Sequence, residues 1–315
     1  MTRYVLRRLL LLVVTMLVTS FIIFGLTQLL PGDVAKLVLG RDASPTAIAN
    51  FNAQFGLDEP ALQQYVNWLV GFVTGDWGKS FTAGSPPVRP LVLDRLVNSL
   101  ILTGFTLAVA VPISILLGII AALNQNKWID NIISVVSLLL VGLPEFVTGI
   151  VLVNILAINF GWFEATSLLS DNMTLVDWLR ILMLPALTAS FVLVGYVARM
   201  TRAGMLEELR KSYVRTAILK GLSQRTVIIR HVLRNAVLPT LTVIAVSIGW
   251  LMGGLVVIEN VFNYPGMGSL LVTAVTQKNL PVLQAVSVMI VFVFAFANLV
   301  SDILYALLNP RIRLD

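Results

Sequence analysis

The chain has 315 residues, of which 57% are hydrophobic and only 12% are charged. A soluble domain carries about 25% charged residues, so this composition excludes an ordinary soluble protein and predicts an all-α, multi-span membrane protein. The net charge of +6 would suit nucleic acid, but the basic residues lie beside apolar runs, which fits membrane topology and argues against a nucleic-acid partner. With no cysteine and a single histidine, His231, disulfides and multi-histidine metal sites are excluded.

The first apolar run extends from about residue 9 to residue 30, behind three arginines near the amino terminus. It is close to the ~20 residues needed to span a bilayer, and no small-x-small cleavage site follows it. Residues 1–30 are therefore predicted to form an uncleaved transmembrane helix. Five more spans are predicted at about 97–123, 132–158, 181–204, 236–258 and 282–308. Six spans, an even number, place both termini on the same side of the membrane.

Residues 31–95 are the longest polar interruption, and we expect them to form a small extracytoplasmic helical subdomain ahead of a five-helix core over 96–315. Ser44-Pro45 can begin a helix that Gly56 ends, and Leu57–Pro60 can open a second helix. Gly78-Lys79-Ser80 is similar to the end of a phosphate-binding loop. However, Val73 stands where the first glycine belongs, and a helix rather than a strand is predicted before it, so a simple turn is favoured.

The distribution of basic residues predicts the orientation. Of the 22 Lys and Arg residues, 15 fall in segments that this topology places inside, and seven fall in the longer outside segments. An excess of basic residues on the cytoplasmic side is the usual pattern, so both termini and residues 205–235 are predicted to be cytoplasmic.

Residues 205–235 form a basic island between apolar spans. Leu206, Leu209, Tyr213 and Ala217 recur at steps of three and four, which predicts one face of a helix. Gly221 suits the position after a helix end, and a serine two residues later can cap a second helix. The island is either a solvated loop held inside by its charge or a pair of amphipathic helices that docks a soluble partner.

Two sequences within the predicted spans attract attention. Pro144-Glu145 falls near the middle of the third span, where a charge costs ~2.5–3.5 kcal/mol on insertion scales. Glu145 either lines a translocation path, with Pro144 bending the helix, or is hydrogen-bonded between helices. Gly249 and Gly253 form a G-x-x-x-G pattern, which allows close helix packing either within the chain or against another subunit.

Motifs along most of the chain resemble those of permease subunits of ABC importers of the dipeptide, oligopeptide and nickel type. The resemblance is carried by Pro31-Gly32-Asp33, Phe55–Asp58, Gln64-Tyr65, Trp68-Leu69, Gly75–Ser80, Tyr213–Ala217, Lys220–Leu222, His231, Arg234–Ala236, Leu238-Pro239, Glu259–Gly268 and Leu308–Arg313. The broader importer family has Glu-Ala-Ala ahead of the loop glycine. This chain has Arg215-Thr216-Ala217 there, which suits the peptide-type branch.

The resemblance implies a type I ABC importer permease fold with six transmembrane helices in a bacterial or archaeal cytoplasmic membrane. It implies that the chain binds no cofactor or metal and is not catalytic. ATP and Mg belong to two separate ATPase subunits, and the other partners are a second homologous permease, making a heterodimer, and an extracytoplasmic substrate-binding protein. The residues it assigns to ATPase coupling are Arg215, Thr216, Ala217, Lys220, Gly221, Leu222, His231, Arg234 and Asn235. It places Glu259, Asn263 and Tyr264 at the outer mouth.

Several alternatives remain at this stage. Peptides are the expected cargo, but similar machinery carries nickel complexes, glutathione or oligosaccharides. A secondary transporter would usually show internal repeats and coupling-ion residues in broken helices. An intramembrane enzyme would need paired histidines or an activated hydroxyl with a nearby base, and neither is evident in the sequence.

Overall fold

The computed structural model describes residues 2–29, 34–40, 42–82, 84–170 and 173–308. Within these ranges the regular elements are helices, and a single isolated β-bridge joins Lys79 to Pro87. The predicted all-α class is confirmed. Pro31-Gly32-Asp33 and residues 309–313, which carry part of the resemblance, lie outside the described residues.

The helices follow one another along the chain, and two of them are continued or interrupted by π-helical turns. They are α1 Thr2–Gln28, α2 Val34–Leu39, α3 Pro45–Phe55, α4 Ala61–Thr74, α5 Val88–Leu123, α6 Trp128–Gly142, α7 Glu145–Leu152 with a π-helical extension Val153–Asn159, α8 Leu175–Leu209, α9 Ser212–Leu219, α10 Gln224–Thr226, a π-helical turn Val227–Val232, α11 Leu233–Ala236, α12 Leu238–Val261, α13 Met267–Thr276 and α14 Leu280–Leu308.

Four helical segments of the described chain are long and apolar enough to cross a membrane: Val5–Gln28, Val88–Leu123, Leu175–Leu209 and Leu280–Ile303. Two bent helix pairs, Trp128–Gly142 with Glu145–Asn159 and Gln224–Ala236 with Leu238–Leu251, raise the number to six if each pair is one span. The fold is thus that of a polytopic helical membrane protein of the predicted type.

The third predicted span, 132–158, is broken rather than merely kinked. Its two halves, α6 and α7, meet at 106°. Leu143 adopts extended backbone angles, φ −84° and ψ 131°, because proline disfavours helical geometry in the residue before it. Pro144 then caps α7, whose first residue is Glu145. The predicted continuous helix is therefore wrong, and Glu145 stands at the start of a new helix.

The chain divides into two compact units, each with its own core. The first comprises Met1–Ser99 and Pro265–Phe296, and the second comprises Leu100–Tyr264 and Ala297–Asp315. In the second unit, α8 is the central helix, because it packs against α6, α7 and α12, and 78% of its most apolar window is buried. Its neighbours include the elements that carry the candidate site residues.

Local chemistry at the helix ends behaves as predicted. The Ser44 side chain accepts a hydrogen bond from the Ala47 amide, and Gly56 ends α3 with a left-handed φ of 65°. Pro239 lies in the first turn of α12. Gly253 of the G-x-x-x-G pattern faces open space, since a Cβ added there would meet no atom within 4 Å. Packing of Gly253 within its own unit is therefore not its role.

Candidate functional site

The basic island folds into two short helical pieces joined by a tight turn. We call residues 212–236 the basic hairpin. Gly221 has a φ of +79°. Its amide donates to the carbonyl of Ile218 at 2.9 Å, and the Leu222 amide donates to that of Ala217 at 3.3 Å, which is the bond pattern of a Schellman motif. Ser223 then caps the second piece by accepting from the Thr226 amide. The turn that the sequence predicted is confirmed.

One part of the helix prediction is wrong. Leu206 and Leu209 belong to the long helix α8, which ends at Leu209, and a new helix begins at Ser212. Both leucines still contact the same apolar cluster as Tyr213 and Ala217, so the periodic pattern identified a shared face but not the break.

The basic hairpin is anchored by a small apolar core at the ends of α5 and α8. Its buried members are Ala122, Met205, Val214, Val227, Val232 and Ala236. Gly204 allows the close approach, because a Cβ there would collide with the backbone carbonyl oxygen of Ala236. The hairpin is therefore packed onto α8 and does not behave as a free loop. Movement of the hairpin is coupled mechanically to α8.

The opposite surface of the hairpin is exposed and mixes apolar with basic side chains. Ile218 is 53% exposed and Leu219 80% exposed beside the turn, although the hairpin already has a buried apolar face. All predicted coupling residues except Ala217, which is half-buried, are exposed on the hairpin: Arg215, Thr216, Lys220, Gly221, Leu222, His231, Arg234 and Asn235. The structure brings these residues to one surface segment. The exposed tip is thus available to a partner.

A polar contact that the sequence did not reveal fixes the junction between α8 and the hairpin. Glu208 is buried, and its carboxylate accepts hydrogen bonds from the Lys211 ammonium and, at 2.7 Å, from the Tyr213 hydroxyl. The bond to Glu208 raises the pKa of Lys211 above its ordinary value. The charge of Lys211, and the stabilisation that it gives, is therefore complete below the ordinary lysine pKa and is lost only as the pH rises through the raised value.

A second unforeseen contact links α6 to α8. Asp130, in the first turn of α6, is 2% exposed, and its two oxygens accept from Arg202 Nε at 2.5 Å and Nη2 at 2.7 Å. The Asn126 amide donates to the same carboxylate at 3.0 Å. Such a forked pair is geometrically specific. An acidic residue at the edge of an apolar run was the available signal, but its partner is 72 residues away.

Glu145 lines a cavity of about 560 Å³ between α6, α7, α8 and α12. The other walls are mainly apolar, with Tyr196, Trp250, Thr242 and Ser247 as the polar or aromatic members. Gly254 lies opposite the carboxylate, since a Cβ built there would be 3.6 Å from Glu145 Oε1. Pro144 also lines the cavity, so the break in the third span opens directly onto it.

The segment predicted for the outer mouth is mostly interior within this chain. Glu259 and Tyr264 are fully buried, and the Tyr264 amide donates to the Glu259 carbonyl at 2.8 Å. Burial, with the nearby Glu259 charge as a smaller cause, raises the pKa of Tyr264. Asn263 is exposed and has a φ of +50°. Of the three residues, Asn263 alone presents its side chain on the surface, and the other two hold the turn.

The Gly78-Lys79-Ser80 sequence lies in a loop that follows α4. Gly78 adopts a φ of +74°, and Ser80 is buried and accepts a hydrogen bond from Asn279 Nδ2 at 2.7 Å. The strand–loop–helix context of a phosphate-binding loop is not present around these residues. They form a structural turn, as predicted.

Comparison with known proteins gives a consistent result. Residues 114–314 match the family described as binding-protein-dependent transport system inner membrane component, and residues 1–109 match the amino-terminal region described for the same kind of membrane component. The chain is 37% identical over 315 residues to a peptide transport system permease protein of Brucella abortus (strain 2308), with all of both chains covered. It is 35% identical over 313 residues to the glutathione transport system permease protein of Escherichia coli (strain K12), covering 99% of each. A crystal structure of an amino acid ABC transporter is similar at a TM-score of 0.48 and 18% identity, covering 71% of this chain and 94% of that one.

Proposed function

Since the chain belongs to the family of binding-protein-dependent transport system inner membrane components, we propose that it forms half of the path by which an ATP-driven importer carries peptides across the membrane. It is a multi-pass permease subunit of the inner membrane and works with other ABC transporter subunits. We propose that these are two ATPase subunits, a second permease of the same family, as a heterodimer, and an extracytoplasmic binding protein.

The observation that carries the proposal is the basic hairpin. It has one face buried on α8 and a second, exposed apolar tip around Ile218 and Leu219. A docking element needs this arrangement, because one face must hold it to the membrane domain while the other meets a soluble partner. ATP-driven closure of the ATPase pair would move the hairpin, and α8 would carry that movement to α6, α7 and α12. We assign Arg215, Lys220, Leu222, His231, Arg234 and their neighbours to this contact.

The translocation path is proposed to include the Glu145 cavity. Polar and ionisable groups inside a membrane protein usually face its interior or a water-filled space, and Glu145 lines an internal cavity beside the broken span. Alternating access would open this cavity to one side and then the other as α7 and α12 change their packing. This chain would bind neither ATP nor Mg itself, and hydrolysis would take place on the partner subunits.

Peptide cargo is supported by relatives of this chain from Brucella abortus and Sinorhizobium fredii whose names refer to peptide transport. The similarity to the glutathione permease of Escherichia coli makes glutathione, itself a small peptide, the second candidate. The two can be separated by measuring uptake of a labelled dipeptide and of labelled glutathione in cells that carry the complete importer. Loss of this chain should abolish ATP-dependent uptake of one of them, and uptake of both at the undiminished rate would refute the assignment.

Co-purification tests the assembly. An affinity-tagged copy of this chain should bring down an ATPase and a second permease from membranes. Transport of the cargo by the lone chain in vesicles without ATP would instead indicate a secondary transporter.

A further inference from the structure

A second cavity, of about 330 Å³, lies within the first compact unit and is separate from the Glu145 cavity. It is formed by the end of α1, the turn between α3 and α4, α4 itself, the loop 76–81 and the start of α14. Its volume is at the small end of the range for ligand sites, so it suits a ligand fragment of a few atoms rather than a long peptide. We propose that this cavity binds the ammonium-bearing headgroup of a bilayer lipid of the aminoethyl phosphate class.

The aromatic walls of the cavity are fixed in place. Its aromatic lining residues are Phe24, Phe55, Trp68, Trp77 and Phe81. The Trp77 ring stacks on Phe72 with centroids 4.7 Å apart, and its indole N–H donates to the Phe72 carbonyl at 3.0 Å. Aromatic faces held in this way attract cations, and the attraction is larger where water is excluded.

Gln284 provides a buried acceptor with capacity to spare. Its side chain is 7% exposed, and its amide nitrogen donates to Thr27 Oγ1 at 2.7 Å. The Thr27 hydroxyl in turn donates to the Phe24 carbonyl, also at 2.7 Å, which fixes the direction of the chain of bonds. The carbonyl oxygen of Gln284 has no protein donor in the described part of the chain and lies on the cavity wall. A buried acceptor in this state is stabilised by a ligand that donates a hydrogen bond.

The charged lining residues add two more acceptors and one cation. Glu59 Oε2 accepts from Asn67 Nδ2 at 2.8 Å, and Asp76 Oδ1 accepts from the Gly78 amide at 3.1 Å, so both carboxylates are oriented. Neither carboxylate forms an ion pair with Lys79 within the described residues, although all three line the cavity. The acceptors suit an ammonium group with its three N–H donors, and Lys79 suits the phosphate beside it.

The position of the cavity favours a lipid over a soluble amine. It opens where α1 and α14 begin or end, and the apolar window of α1 is only 11% buried within the chain. Leu17 and Phe21, one and two turns before the cavity wall on α1, are 47% and 61% exposed and can contact acyl chains. Tryptophan at such a level is typical of the membrane–water interface, where headgroups lie.

The test is native mass spectrometry of the full-length chain, purified with its partner subunits, stripped of lipid and titrated with defined lipids. Phosphatidylethanolamine should be retained about tenfold more strongly than phosphatidylcholine or phosphatidylglycerol, which lack a primary ammonium. Glu59→Gln and Gln284→Leu should each remove this preference. Asp58→Asn is the matched control, because Asp58 is the adjacent carboxylate but does not line the cavity. It should bind as the unaltered chain does.

Equal retention of the three lipids, or an unchanged preference in Glu59→Gln, would overturn the proposal. Glu59 lies at the half-buried rim, so its variant reports on binding even if Gln284→Leu fails to fold. A further arm adds free phosphoethanolamine or glycylglycine. Saturable, Glu59-dependent binding of either compound without lipid selectivity would overturn the lipid source and assign the cavity to soluble amines.

Discussion

Replacing Gly221 by valine tests whether the turn of the basic hairpin transmits the ATPase signal. The native φ is +79°, where an L-residue with a Cβ is strained by roughly 1–2 kcal/mol. A Cβ added at this position would meet no atom within 4 Å, so crowding inside the chain adds nothing to that strain. The strain disfavours the native turn by a factor of about 5 to 30. We therefore expect the Leu222–Ala217 hydrogen bond and the positions of Ile218 and Leu219 to be lost first.

The assay is ATP hydrolysis by the reconstituted importer, with and without loaded binding protein, together with uptake. In Gly221→Val, stimulated hydrolysis and uptake should fall by up to the factor of about 30 given by the backbone strain, while the complex of the two permeases remains intact. Gly221→Asn should retain most activity, since asparagine tolerates left-handed angles better than valine does.

A matched control separates coupling from general strain. Gly84 has nearly the same φ, +80°, and also faces open space, but it lies outside the basic hairpin. Gly84→Val should leave stimulated hydrolysis unchanged. Normal stimulated hydrolysis and uptake by Gly221→Val would refute the reasoning and leave the hairpin as a topological anchor only.

Three further outcomes are expected. Glu145→Gln should lower uptake, or alter its pH dependence, more than Asp302→Asn does, because Glu145 lines the inner cavity; equal, unaltered uptake by both variants would make Glu145 a packing residue. Asp130→Asn should destabilise the detergent-purified chain by about 2–3 kcal/mol in thermal melting, less than the 3–5 of a fully buried pair because Arg202 is partly exposed, and an unchanged melting temperature would show that the pair contributes little. A single cysteine at position 76 should react with an impermeant reagent added outside, and labelling only from the cytoplasm would reject the predicted topology.

Features decided by a few neighbouring residues could be predicted from the sequence. Ser44, Gly56, Gly221 and Ser223 each end or begin a helix by an interaction within about five residues, so their types and order suffice. The long apolar runs likewise predict helices, because backbone groups in a bilayer must be paired within the segment.

Features decided at a distance could not be predicted. The Asp130–Arg202 pair joins two helices whose relative position no local pattern specifies. The break at Arg210 was missed because α8 and α9 contact one apolar cluster, which continues the helical periodicity across the junction. Pro144 was recognised, but a single proline does not determine the size of a bend. The 106° angle depends on how α7 packs between α8 and α12.

The broken third span has a consequence for ion leakage. The first N–H groups of any helix have no acceptor within that helix, and the break places those of α7 beside the Glu145 cavity at membrane depth. Hydrocarbon cannot satisfy these groups, so water must reach them. A hydrated pocket containing a carboxylate is also a stepping stone for protons. The idle transporter must therefore seal this pocket at one end at every moment, and the apolar side chains around it, such as Val192 and Val246, are placed to act as that insulation.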